Sequence, residues 1–134
     1  MAIKILSAKD FNVKLKATIQ ASGRLGFTEP TAKFLKLSPY KYAIFANDEE
    51  TNNLYLAISE NESEDSFEIK STSGYYYVPA KMLFDVLGLD YINNVIMFDL
   101  VRVSSLDEET GGETYKMNKR ENKRKSKENE NITE

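Results

Sequence analysis

Gly23-Arg24 follows a stretch whose polar positions carry Asn12, Lys14, Lys16, Thr18 and Gln20 in strict alternation with Phe11, Val13, Leu15, Ala17 and Ile19. Such a period of two places one side of a strand in a core and the other in water. Lys14 and Lys16 then stand on a wet face, and a glycine-led turn pushes Arg24 out beside them. Lysine and arginine grouped in this way suit an anionic backbone, since ammonium and guanidinium groups pair with phosphate oxygens without reading bases. Lys9, just ahead of the strand, is a fourth candidate for the same contact.

Other chemistries are thinly supplied. The chain of 134 residues has no cysteine and no histidine. Disulfides, thiolate nucleophiles, imidazole bases and the commonest zinc ligands are therefore excluded. Carboxylates gather in "NDEET" and "ENESED", which read as polar turns, and neither has the spacing of a calcium loop. No Gly-Lys-Ser/Thr follows Gly23-Arg24-Leu25-Gly26, so this is no nucleotide-binding loop. Tyr75, Tyr76 and Tyr77 form a run that can stack bases, though a strand with alternate rings buried is its commoner meaning. No catalytic constellation emerges. The reading is a binding protein, not an enzyme, with no cofactor and no metal.

Charge is divided unevenly. Residues 1–46 hold eight basic side chains against two acidic, and residues 47–103 hold three against eleven. From 104 to 134 the balance is seven to eight, finely mixed, within a net charge of −3. A basic first half favours an anionic partner, while opposite charges that merely dock two halves explain the same asymmetry. The beginning "MAIKILSAKDF" lacks a signal peptide's apolar core, and no run reaches membrane-spanning length. A cytoplasmic protein without membrane contact is expected.

The elements that position these residues occur twice. After the first strand come the Ser22-Gly23 turn, the short strand "RLGFT", a helix opened by Thr28, Glu29 and Pro30, and the strands "KYAIFAN" and "NNLYLAIS". Thr28 is a capping residue, and proline is tolerated in a first helical turn. The order then returns as strand "FEIKS", turn Ser73-Gly74, strand "YYYV", a helix from Pro79, and strand "VIMFDLVRV". Ser22-Gly23 and Ser73-Gly74 are 51 residues apart, and Leu35 and Leu37 match Leu87 and Leu89 at 52. Two repeats are expected, about 11–59 and 67–103, the second without a clear fourth strand. Each helix is too short to stand alone and each hairpin is marginal, so the halves must interleave around one core. The expected fold is mainly β with two short helices, a barrel-like core built from tandem strand-strand-helix-strand units over residues 1–103. Beyond Ser104 only Leu106, Tyr115, Met117 and Ile132 are apolar. Residues 104–134 accordingly read as a charged, disordered tail, and deleting residues 108–134 should leave the melting temperature nearly unchanged.

"SGRLGFTEPTAKFLKLSPYKYAIFAND…LYLAIS" resembles the AbrB/MraZ superfamily of swapped-hairpin, double-split β-barrels. The Gly-Arg turn, the apolar strand ending near proline and the final hairpin carry the likeness, and "VLGLD" at 86–90 keeps the family's Leu-Gly helix exit. Two copies in one chain resemble the MraZ arrangement, over about three quarters of the sequence. Tyr75 stands where a second turn arginine would be. The resemblance implies a transcription regulator that meets duplex DNA through Arg24 and neighbouring cations, Lys14, Lys16 and Lys9. The alternative is a protein-interaction or self-assembly module that keeps the barrel and binds no nucleic acid.

Overall fold

The computed structural model describes residues 2–8 and 14–124. Lys9 and the expected start of the first strand at Phe11 lie outside the described residues. Strand β1 (Lys16–Ile19) buries Ala17 and Ile19 and turns Lys16 and Thr18 outward, as the alternation requires. It folds back through residues 21–23 onto β2 (Arg24–Phe27), with Ile19 opposite Leu25 and Ala17 opposite Phe27.

Helix α1 (Glu29–Leu35) starts where Thr28 caps it, the Thr28 hydroxyl accepting from the Thr31 amide at 3.4 Å. The buried Thr31 hydroxyl accepts from the Lys16 amide at 2.8 Å, which fastens the helix start to β1. The helix ends on Lys36 in the left-handed region (φ 53°), so a lysine fills a position that glycine usually takes. The hairpin β3 (Tyr42–Asn47) and β4 (Leu54–Ser59) completes the first unit; its turn is held by Asp48, whose Oδ1 accepts from the Glu50 amide at 2.9 Å.

The second unit repeats this order. Its first strand is split by the buried Ile69 into β5 (Phe67–Glu68) and β6 (Lys70–Thr72). Then come β7 (Tyr75–Pro79), helix α2 (Lys81–Val86) and β8 (Asn94–Arg102). A 3-10 turn at Ser104–Leu106 and a one-turn helix α3 (Asp107–Thr110) lead into a long last strand, β9 (Glu113–Lys123).

Among the described residues the strands form one sheet in the order β5-β3-β4-β9-β8-β1-β2-β7-β6. Because β5 pairs with β3 while β6 pairs with β7, the broken strand joins the two ends of the order and nearly closes a barrel. The cross-pairings between units are reciprocal: β2 lies on β7 and β4 on β9, while β1 on β8 is matched by β5 on β3. Packing repeats too, with Ala17 facing Phe98 at one cross-pair and Ala43 facing Phe67 at its counterpart. The two units are thus interleaved in one core, where Phe84, Tyr91, Ile96, Phe98 and Tyr115 are buried.

The second unit does have its fourth strand, inside the segment that reads as a tail. β9 sits between β4 and β8, hydrogen-bonded along Glu113–Met117 to one and Tyr115–Lys123 to the other. The domain therefore continues through Lys123, and the boundary at 103 is corrected. Composition misleads here because a strand flanked on both sides satisfies its backbone in the ladder. Tyr115 and Met117 suffice to anchor it to the core.

The two turns are built differently despite their shared Ser-Gly. Gln20 and Arg24 pair across three residues, with only Gly23 at positive φ (88°). Ser73 (φ 51°) and Gly74 (φ 77°) form a two-residue turn with both residues left-handed, the type that matches the strand twist. A Cβ at Gly74 meets nothing within 4 Å, whereas one at Gly23 would lie 2.9 Å from the Lys81 Cα. Gly74→Ala is expected to cost about 1–2 kcal/mol for the left-handed backbone. Gly23→Ala should cost roughly 1–3 kcal/mol more, because overpacking against α2 is added. Urea melts of the two variants check the order.

The crossover before β9 is pinned by a forked ion pair. Arg102 donates to both Asp107 oxygens at 2.6 and 2.5 Å, and the Thr114 amide donates to Asp107 Oδ1 at 3.0 Å. The Arg102 hydrogen bonds, helped by Thr114, hold the Asp107 carboxyl at about 2. A carboxylate with a depressed folded pKa stabilises above its unfolded value, and that contribution is lost as pH falls from about 4 toward 2. Melting temperatures of Asp107→Asn should accordingly fall less steeply than those of the parent across this window.

Candidate nucleic-acid interface

Register fixes which side chains share the outer surface. Lys16, Thr18 and Gln20 of the first hairpin arm lie opposite Thr28, Gly26 and Arg24 of the second. Gly26 and Arg24 lie in turn opposite Tyr77 and Pro79, and Tyr77 and Tyr75 opposite Lys70 and Thr72. Partners in an antiparallel ladder point to the same face. The outer face of β1, β2, β7 and β6 therefore presents Lys16, Arg24 and Lys70 with two tyrosines and no carboxylate. In a chain of net charge −3, that four-strand face is locally cationic.

Arg24 is exposed, and its guanidinium carbon stands 4.3 Å from the centre of the Tyr77 ring. This stack fixes the orientation of the arginine without neutralising it. Tyr75 lies on the same side, its ring centre 6.0 Å from that of Tyr77 and tilted by 32°. The Tyr75 hydroxyl takes a hydrogen bond from the Gln20 side chain. The ring covers Gly26, where any side chain would collide with that hydroxyl. Burial raises the Tyr75 phenol above its ordinary pKa of 10.0, against the opposing pull of Arg24 and Gln20. Tyr76 faces inward and packs on the core, so only the alternate rings of the run are outside.

The lysines form a second group. Lys14 is exposed and Lys16 partly so, and both line a shallow cleft of about 400 Å³ with Leu15, Asp99, Leu100 and Arg120. Arg120 was invisible as a site residue because its strand read as tail; pairing of β9 with β8 brings it here. It is held by Asp99, at 2.8 Å through Nε and 3.0 Å through a terminal nitrogen. Lys16 and Arg24 occupy opposite ends of the same hairpin, four residues apart along it, about 13 Å at strand rise. The structure thus puts Lys14 with Lys16 and places Arg24 on the same face at a distance. Lys81, which abuts Gly23, is engaged by Asp85 at 2.9 Å. Asp85 also accepts from the Tyr91 hydroxyl at 2.5 Å, and hydrogen bonding to Asp85 raises the Lys81 pKa.

The carboxylate clusters lie where the sequence places them, in the turn at 48–51 and the loop at 60–66. Among the described residues no group of acidic side chains is arranged to hold a metal ion, and no helix is long and apolar enough to cross a membrane. The chain matches no family model, no curated protein and no solved structure.

Proposed function

We propose that the protein is a cytoplasmic, regulator-like protein that binds duplex DNA through the outer face of the β1–β2 hairpin. The acid-free outer face of β1, β2, β7 and β6, carrying Lys16, Arg24 and Lys70, is the observation that supports this most, in a chain of net charge −3. The two cation groups on the hairpin are about 13 Å apart along strand rise, close to the roughly 12 Å width of a major groove, so they can rest on the phosphates at its borders. Lys14 and Lys16 act as point charges, and Arg24, held by Tyr77, offers its guanidinium fork. The resemblance of the repeat to the AbrB/MraZ superfamily points the same way.

Fluorescence anisotropy of a labelled duplex tests the reading. Three phosphate contacts imply a slope near −3 in a plot of log K against log salt. Binding at low salt that weakens on this scale supports the proposal; no binding at low salt contradicts it. The rival assembly reading has one observation in its favour. Met82 (81 % exposed) and Val86 (83 % exposed) lie a turn apart on one side of α2. Concentration-dependent association without DNA binding would select that reading.

A further inference from the structure

We infer that Tyr75, Tyr77 and Arg24 form a stacking platform for unpaired bases, so that the same outer face takes single-stranded nucleic acid. The inference rests on the nucleic-acid reading above and names a second form of the ligand.

Tyr76 packs on the core and its two neighbours point outward, where Tyr75 covers the bare backbone at Gly26 and Pro79 shares the face. Gly26 explains why Tyr75 lies against the sheet. It does not explain Tyr77, whose ring supports a solvent-exposed guanidinium. A guanidinium stacked on a ring presents a second planar surface to solvent, and bases stack on such planes as they do on aromatic rings. Gln20 fixes Tyr75 by its hydroxyl. Both planar groups are therefore positioned before any ligand arrives, which lowers the ordering cost of binding.

Spacing selects the strand state. The surfaces offered are the Tyr75 ring and the Arg24 guanidinium, which lies 4.3 Å over the Tyr77 ring, itself centred 6.0 Å from Tyr75. Successive bases in a duplex are separated by about 3.4 Å and hide their faces against one another. Adjacent bases can each reach one of these surfaces only in an extended, unstacked strand. Lys70, beside Tyr77, and Lys16, further along β1, flank the platform where a backbone would pass; these four strands' outer face holds no carboxylate, and Asp99, opposite Lys16 on β8, is paired with Arg120.

The test compares three labelled probes by anisotropy at low salt: a short oligo-dT strand, an abasic strand of the same length, and a duplex. Wild type should bind oligo-dT about tenfold more tightly than the abasic strand, because the two differ only in their bases. Tyr77→Ile should remove most of that difference between oligo-dT and abasic strand, and Tyr77→Phe should retain it. Circular dichroism establishes that each variant is folded. Equal binding of oligo-dT and abasic strand overturns the inference whether or not the variants fold. If the duplex is still bound, the duplex reading survives that result; if no probe is bound, both fall.

Discussion

A chain ended at Leu106 is expected to lose its cooperative unfolding transition and to expose its core to dyes that bind apolar surface. The missing segment contains α3 and β9. Its removal takes Tyr115 and Met117 out of the core and strips both neighbouring strands of a ladder partner. Each such side chain contributes about 1.5–3 kcal/mol when fully buried, against a total stability of about 5–15 kcal/mol for a whole domain. Two exposed edges, β4 and β8, add unpaired backbone groups and a route to aggregation. Milder damage should follow the same logic: Tyr115→Ala should fold with a loss of about 3–5 kcal/mol, the range for large aromatic truncations. Circular dichroism melts of both proteins decide the matter. A truncated chain that melts like the parent would mean that β9 is dispensable.

Arg24→Glu is expected to weaken duplex binding by about tenfold or more at low salt, since a like charge facing phosphate both loses a contact and adds repulsion. The salt slope should fall by about 1 as well, because one fewer counterion is released. Lys81→Gln provides the contrast. Lys81 lies next to the Gly23 turn but is already held by Asp85, so its neutralisation should change affinity by less than about twofold. Equal losses in the two variants would remove Arg24 from the centre of the interface.

Local patterns in the sequence were enough to place much of this architecture. The alternation around Lys14–Gln20, the Thr28 cap and the two hairpin orders all appear as read, because each depends on neighbours a few residues away. The repeat was legible for the same reason. Closure was not: the split of one strand at Ile69, half on β3 and half on β7, depends on contacts far apart in sequence. β9 was missed because flanking strands, not apolar content, hold it in place, although the alternate Tyr115 and Met117 were a faint sign of a strand. The site shows the same division. Parity along β1 places Lys16 outward, but Arg24 over Tyr77 arises only from the pairing of β2 with β7, and Arg120 joins the lysines only through β9. The matching Ser-Gly pairs also concealed two different turn lengths, since a glycine's presence does not specify how many residues around it turn.

The central claim is that the outer face of the first hairpin holds DNA, and amide chemical-shift mapping tests it most directly. A labelled protein would be titrated with a short duplex at low salt. The account predicts that the shifted amides cluster on Lys14–Gln20, Arg24–Gly26 and Tyr75–Tyr77, with Arg120 at the margin. Shifts confined to α2 around Met82 and Val86, or to the acidic crossover at 107–113, would contradict it.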